Sequence, residues 1–378
     1  MDPITRLLHA RIRSDDNAKS AVTPLYQCSG FSAGSPYFYT RNDNPNIAEV
    51  EDAIRVLEGS QHCLAVTTGM TAISLVLNLL RPGDTFVVNK DIYGCSLKLF
   101  QRISSQRNIG LEILDLSQEE NIKQIPGRTR MVIFETPTNP FLKTINIRRV
   151  SDRVKTLNPE ALVVVDNTWA TPLFQQPLKH GADISLHSAT KFLSGHSDVM
   201  GGVLLTERSE LHKELRESRF YGGAILDPHS AWLLRRSLQT FGLRMAAHKE
   251  ATLAMHSFLE KCSPVARVYY PDIDGKQLLG YGGILFVQLR DDLADRYPEF
   301  MNALRLFDTG TAMACVTSMV AQPYTGSHAS LTEAEKSCMG LKPSLVRLCF
   351  GQENVEDLKS DLAQAFAVLE SGISHNKA

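Results

Sequence analysis

The apolar residues Ile47, Val50, Ile54 and Leu57 recur at helical spacing and stop at Gly59. This predicts a helix from Asn46 that closes on a C-terminal glycine. Beyond it, short apolar runs at 62–67, 85–89, 131–135, 162–166 and 183–187 alternate with helical or turn-rich stretches such as 70–80 and 94–107. Buried strands separated by helices predict an α/β fold, a mostly parallel sheet covered on both faces. Asp227-Pro228 supplies a capping carboxylate and a first-turn proline. It opens a long helical pattern to about residue 260, read as a bridge to a second unit. There the strand-like runs Val265–Tyr270, Ile284–Leu289 and Leu345–Phe350 flank helical patterns near 296–306 and 354–369, the mixture of a small α+β domain.

Residues 1–45 carry no sustained period, with Pro24, Pro36, Pro45 and the aromatic cluster Phe31, Tyr37, Phe38 and Tyr39. So long a segment without structure is unusual inside a compact fold. It is read as an arm that packs on a neighbouring subunit. The expected organisation is therefore an arm at 1–45, a large domain at 46–255 and a small C-terminal domain at 256–378.

Composition narrows the function classes. With 43% hydrophobic and 21% charged residues, the chain has the balance of a soluble globular protein. No run approaches the roughly 20 apolar residues of a membrane span. A net charge of -1 with interspersed signs offers no footprint for nucleic acid or anionic lipid, so a small-molecule partner is expected. The seven cysteines are scattered and never paired at zinc or redox spacing, which reads as reduced thiols in a cytoplasmic protein with no metal site.

Four stretches carry candidate chemistry. In Ile184-Ser185-Leu186-His187-Ser188-Ala189-Thr190-Lys191 an apolar strand ends in hydroxyls and a lysine. Ser188 and Thr190 share a side of an extended chain and can grip one phosphate. Lys191 beside them is placed to form an imine with an aldehyde cofactor, although a surface lysine after a strand is the commoner outcome for such a residue alone. Leu162-Val163-Val164-Val165-Asp166 puts a carboxylate at the C-terminal end of a buried strand, where open α/β sheets hold ligands. Asp166 can keep a pyridine nitrogen protonated, or simply cap a turn. Thr68-Gly69-Met70 lies at a strand-to-helix junction, an anion site by its exposed amides and helix dipole. Tyr93-Gly94 follows another strand, and its ring can stack on a planar cofactor or serve as core.

Taken in order, these stretches resemble the cystathionine γ-synthase, cystathionine lyase and methionine γ-lyase family of pyridoxal-phosphate enzymes from about residue 20 to 370. The motifs that carry the resemblance are Tyr39-Thr40-Arg41 with Asn44-Pro45, Thr68-Gly69-Met70, Tyr93-Gly94, and Glu135-Thr136-Pro137-Thr138-Asn139-Pro140. Asp166-Asn167-Thr168, Gly181-Ala182-Asp183, and Ser188-Ala189-Thr190-Lys191 through Gly195-His196-Ser197-Asp198 complete the set. The resemblance implies a fold-type I architecture and a homotetramer built as a dimer of dimers. It implies that Tyr39 and Arg41 reach the cofactor phosphate of the neighbouring subunit, and that Gly69, Met70, Ser188 and Thr190 hold the phosphate within the subunit. By the same resemblance Tyr93 stacks on the ring, Asp166 pairs with its nitrogen, and Asn139 sits near the ring hydroxyl and substrate carboxylate. Arg347 in Ser344-Leu345-Val346-Arg347-Leu348 matches the family's carboxylate-binding arginine.

The chemistry implied is pyridoxal 5'-phosphate-dependent reaction at the γ-carbon of a methionine- or homoserine-derived amino acid, through a vinylglycine-type intermediate. Lys191 moves protons, and Tyr93 is a candidate acid or base with a lowered pKa. Where this family usually reads Ser-Leu-Gly-Gly-Val-Glu-Ser-Leu, the chain has Met313-Ala314-Cys315-Val316-Thr317-Ser318-Met319. Ser318 keeps the serine at the expected substrate wall, whereas Thr317 replaces the glutamate of cystathionine-handling members. Cys95, directly after Tyr93-Gly94, is similar to methionine γ-lyases. Trp169 stands where phenylalanine is usual, and Thr68 where serine is common. The reaction expected is γ-elimination, with γ-replacement on an O-activated homoserine as the alternative.

Overall fold

A computed structural model describes residues 1–10 and 20–371. Positions 11–19 of the expected arm and the end of the expected small domain lie outside them.

Seven strands form the larger sheet: β1 (His62–Val66), β2 (Thr85–Asn89), β3 (Gly110–Leu114), β4 (Thr129–Glu135), β5 (Leu162–Asp166), β6 (Ile184–His187) and β7 (Gly202–Thr206). Their spatial order is β1-β7-β6-β5-β4-β2-β3. Only β7 opposes its neighbours; the pairs β2–β3, β2–β4, β4–β5 and β5–β6 are parallel. The central strand β5 reads Leu-Val-Val-Val-Asp, β-branched and buried on both faces as a helix-covered sheet requires. Edge strand β3 is half-exposed, and its apolar pattern is correspondingly weak.

The principal helices are α1 (Pro3–His9), α2 (Pro45–Glu58), α3 (Gly69–Leu77), α4 (Gly94–Arg107), α5 (Ile147–Leu157), α6 (Ser209–Gly222), α7 (Pro228–Leu238), α8 (Phe241–Leu259) and α9 (Val355–Ser371). Helix α2 begins where the Asn44 side chain accepts the Asn46 N–H and ends on the left-handed Gly59.

Two expectations change. The arm begins with a real helix, α1, because Asp2 caps it and Leu7 is buried against the core, although the segment is too short to show a period. The expected single helix over 228–260 is broken at Gln239-Thr240. There, N–H bonds from Gln239 to the Arg236 carbonyl and from Thr240 to the Ser237 carbonyl tighten the last turn of α7.

A second sheet contains β8 (Val265–Tyr269), β9 (Ile284–Leu289), β10 (Asp308–Thr309), β11 (Met319–Ala321) and β12 (Leu345–Cys349), in the order β10-β11-β12-β9-β8. It is antiparallel except for the β10–β11 pair. Helix α8 serves both units. Phe241 and Met245 belong to the core shared with the large sheet, whereas Ala251, Met255 and Leu259 pack in the core of the small one. A helix seated in two cores fixes the two sheets to each other.

One close approach fixes where α3 begins. On β7, a Cβ at Gly202 would lie 2.2 Å from the Thr68 carbonyl oxygen and 2.9 Å from the Gly69 nitrogen. The start of α3 is thus seated directly on β7 backbone, which cannot yield as a flexible side chain would. Gly202→Ala is expected to destabilise the fold by about 1–3 kcal/mol and to lower the thermal midpoint in differential scanning calorimetry. An unchanged midpoint would show that the contact is slack.

Candidate active site

Three parallel strands end side by side. Glu135 closes β4, Asp166 closes β5 opposite it, and Asp166 pairs in turn with Leu186 of β6, two residues before Ser188. Their C-terminal ends open into a cavity of ≈ 530 Å³. Its walls bring together Gly69, Met70, Tyr93, Asn139, Asp166, Ser188, Thr190, Lys191 and Arg347 from segments far apart in the chain.

At one end lies the start of α3, whose first turn exposes backbone N–H groups at Gly69 and Met70 beside the Ser188 and Thr190 hydroxyls. Thr68 caps the helix by accepting the Thr71 N–H at 3.0 Å. Thr190 is held by its own bond, its Oγ1 accepting the Gly201 N–H at 3.0 Å. Free amides, a helix dipole and hydroxyls make an anion cradle.

At the other end sits Asp166. Its Oδ1 accepts the Thr168 N–H at 3.0 Å and the Thr168 hydroxyl at 2.5 Å, and the same hydroxyl accepts the Ser188 N–H at 2.8 Å. Both donors go to one oxygen. Burial raises the pKa of Asp166, and the Thr168 bonds work against that rise. Glu135 is pushed well above the carboxylate range, by burial first and by the Asp166 charge second. Two adjacent buried carboxylates do not both ionise, because each charge stripped of water costs several kcal/mol. The hydroxyl-supported Asp166 is the anion, and Glu135 holds a proton. One oxygen of Glu135 accepts the Tyr93 N–H at 3.0 Å, while Oε2 and the Asn139 Oδ1 are buried without a protein partner.

Opposite stand two cations. Lys191 has its pKa lowered by burial and, after that, by the Arg347 charge. Arg347, 2% exposed on β12, donates from Nη2 to the Thr311 and Ala312 carbonyls at 3.1 and 3.2 Å, and its Nε has no partner. A buried guanidinium without a carboxylate partner among the described residues invites an anionic ligand. Tyr93 departs from expectation. Burial and then its hydrogen bond with Cys95 push its phenol up to about 12 rather than down. The phenol is therefore a proton donor.

Other expected residues lie off the cavity wall. Ser318 is fully buried, its hydroxyl donating to Glu353 at 2.8 Å and accepting the Gly351 N–H at 3.0 Å; it supports the small sheet. Thr317 is exposed beyond the wall, and Cys95 touches it only through Tyr93. Tyr39 and Arg41 lie away from this cavity, with the Arg41 guanidinium 4.4 Å over the Phe220 ring and Nη1 donating to the Phe220 carbonyl at 2.9 Å. Glu135 and Thr168 are among the wall residues that received no role from the sequence. Glu135 carries the same signal as Asp166, an acid ending an apolar run, and Thr168 sits two residues past Asp166 at turn spacing.

The sequence of residues 4–367 matches the model of the Cys/Met metabolism PLP-dependent enzyme family. The chain belongs to this family of pyridoxal-phosphate enzymes. It is 36% identical to a cystathionine beta-lyase of Lactococcus lactis subsp. cremoris, over 96% of this chain and 98% of that protein. It is 34% identical to an L-methionine gamma-lyase of Pseudomonas deceptionensis, over 97% of each. Its fold is similar to the crystal structure of cystathionine gamma synthase from Xanthomonas oryzae pv. oryzae in complex with aminoacrylate and cysteine. That match has a TM-score of 0.93 and 34% identity, covering 98% of this chain and 99% of that one. The architecture is thus fold type I, and the cofactor is pyridoxal 5'-phosphate.

The cavity of this pyridoxal-phosphate enzyme fits the cofactor on its own terms. It offers an anion cradle, a buried carboxylate with one oxygen free of Thr168, unpartnered polar atoms along one wall, and an amine with a depressed pKa. Only the neutral amine captures an aldehyde. Capture of pyridoxal phosphate by the apoprotein, followed by stopped-flow absorbance against pH, is expected to show a midpoint below the ordinary lysine value of 10.5. Arg347→Gln is expected to raise that midpoint, since it removes a positive charge that disfavours the ammonium. A midpoint that falls or stays would contradict the coupling.

Proposed function

We propose that the protein catalyses γ-elimination on methionine or a γ-substituted relative, as a methionine γ-lyase does. The carrying observation is the chemistry of the outer wall. Trp169, Met200, Thr311, Met313, Gly326 and Ser327 line it, and the only carboxylates among the described lining residues are Glu135 and Asp166 at the cofactor end. Nothing charged there meets the distal ammonium of cystathionine, whereas the two thioethers and the indole suit an uncharged γ-substituent. Thr317, in place of the glutamate, agrees with this, as does Cys95 on the Tyr93 hydroxyl.

When bound, pyridoxal phosphate withdraws electron density from the substrate's Cα, so that Cα–H and then Cβ–H ionise. The rest is the work of this chain. The Gly69–Met70 amides with Ser188 and Thr190 hold the phosphate, and anionic Asp166 keeps the ring nitrogen protonated. Arg347, whose Nε is free, receives the substrate carboxylate, and Asn139 orients it. Lys191, buried and readily neutral, takes the Cα proton at Nζ and carries protons along the same face. Tyr93, its phenol protonated, donates to the leaving sulfur at Cγ. For methionine and one water the products are methanethiol, 2-oxobutyrate and ammonia. A nucleophile added at Cγ instead of elimination would give replacement.

In the same proposal the chain works as a cytoplasmic homotetramer, with Tyr39 and Arg41 serving the phosphate of a neighbouring subunit. Their exposed position, away from the cavity of their own subunit, supports it. Arg suits that task because its planar fork pairs with phosphate oxygens.

The test offers the holoprotein methionine, O-acetylhomoserine and cystathionine in deuterated water, with and without a thiol acceptor. Acceptor-independent 2-oxobutyrate from methionine is expected, with deuterium at Cα and Cβ of the recovered methionine, deuterium at the former Cβ of the product, and a kcat/KM at least about tenfold above that for cystathionine. Exchange at Cα alone, pyruvate from cystathionine, or turnover only with acceptor present would overturn the γ-elimination reading.

A further inference from the structure

Arg244 is a buried cation without a carboxylate partner among the described residues. It sits in the first turn of α8, and burial lowers its pKa to about 10, so it stays charged near neutral pH. All its hydrogen-bond partners are oxygens of backbone or hydroxyl. Nη1 donates to the Phe192 carbonyl at 2.7 Å, Nη2 to the Leu193 and Ser237 carbonyls at 3.2 and 3.0 Å, and Nε to the Thr240 hydroxyl at 3.2 Å. Phe192 and Leu193 are the two residues after Lys191. They belong to a tight turn in which the Lys191 N–H reaches the Ser188 carbonyl and the Gly195 N–H reaches the Lys191 carbonyl at 2.7 Å. Gly195 is left-handed, and a Cβ there would lie 1.9 Å from Arg244 Nη1, so the turn and the guanidinium are fitted to each other.

One turn along the same helix is His248. It is fully buried, and burial lowers its pKa to about 4, so the ring is neutral. Nδ1 lies 2.8 Å from the Phe350 carbonyl oxygen, an acceptor, which assigns the ring proton to Nδ1. The ring also meets Phe192 edge-on, centroids 5.4 Å apart. Phe350 directly follows β12, the strand that carries Arg347. The Phe350 N–H returns to the Gly283 carbonyl at 2.8 Å, and the Gly283 N–H reaches Thr252, another residue of α8.

We propose that Arg244 and His248 act together as positioning residues: a strut on one face of α8 that fixes the Lys191 turn against the Arg347 strand. The strut sets the separation between the amine that carries the cofactor and the cation that receives the substrate carboxylate. It rests on the roles proposed for Lys191 and Arg347. The arrangement gives a reason for the buried charge at Arg244: one planar fork spans three carbonyls that a neutral side chain could not draw together. Neither residue touches the cavity. Both act through others.

The test uses holoprotein of Arg244→Met, Arg244→Lys, His248→Leu, His248→Gln and the Arg244→Met/His248→Leu double variant. Cofactor content, induced visible circular dichroism, and kcat and KM for L-methionine are measured per loaded subunit. For Arg244→Met, at least half the induced dichroism is expected to vanish and kcat to fall about tenfold with KM within about twofold. Arg244→Lys recovers part of both. For His248→Leu, KM is expected to rise about threefold or more, and His248→Gln, which keeps a donor, to restore it. The double variant should lose less kcat/KM than the product of the single losses, because one strut is broken twice.

Wild-type dichroism and kcat in Arg244→Lys and in any loaded Arg244→Met would overturn the proposal, as would single losses that multiply in full. A lower thermal midpoint with unchanged kinetics would reduce both residues to fold support and overturn it too. If the wild-type protein itself shows no induced visible signal with pyridoxal phosphate, the Lys191 reading fails, and the proposal with it. A wild-type signal with unaltered variants defeats the strut alone.

Discussion

The Thr168 hydroxyl is the contact on which the site depends. It donates to Asp166 at the end of β5 and accepts the backbone N–H of Ser188 beyond β6, at 2.5 and 2.8 Å. One oxygen therefore sets both a charge and a position. Asp166 is buried beside a second carboxylate, and without the two Thr168 donors, burial would favour the protonated acid, as it does for Glu135. Ser188, tied to the same hydroxyl, leads within three residues to Lys191. The electrostatic end of the cavity and the segment leading to the Lys191 amine are thus tied by one side chain.

From that hydroxyl outward the charges order themselves by burial. Glu135 takes the proton that Asp166 does not need, and its neutral carboxyl accepts the Tyr93 N–H. Lys191 loses basicity to burial and, after that, to the Arg347 charge. Tyr93, beside a carboxyl and a thiol, keeps its proton. Each direction follows from removing water from a small volume in which like charges sit close together. The same dryness leaves Glu135 Oε2, Asn139 Oδ1 and Arg347 Nε without protein partners. Such atoms are costly unless a ligand completes them.

Much of this is legible in the sequence because parallel sheets write themselves plainly. A run such as Leu162–Asp166, apolar on both faces and ending in an acid, announces a central strand and a ligand-side carboxylate at once. Lys191, Asp166 and the α3 start are readable for that reason. Features that depend on contacts distant in sequence escape. The break between α7 and α8 arises where turns tighten at Gln239 and Thr240, and helical periodicity runs through it undisturbed. Ser318 matches a motif, yet Glu353, 35 residues away, claims its hydroxyl. The direction of the Tyr93 shift is opposite to the one expected, because the sequence shows a lysine and a phosphate site nearby and hides the burial and the Cys95 contact. Arg244 and His248 look like ordinary polar residues of a helix until the fold shows which carbonyls they meet.

The relatives divide among lyases and a synthase, and the proposed γ-elimination rests on the outer wall rather than on the cofactor site. That wall has value only if the inner site works as described, with the cofactor carried on Lys191. The most direct measurement is borohydride reduction of the holoprotein followed by peptide mapping. A pyridoxyl group on Lys191, and its loss in Lys191→Ala, is the expected result; the group on another lysine, or on none, would contradict it.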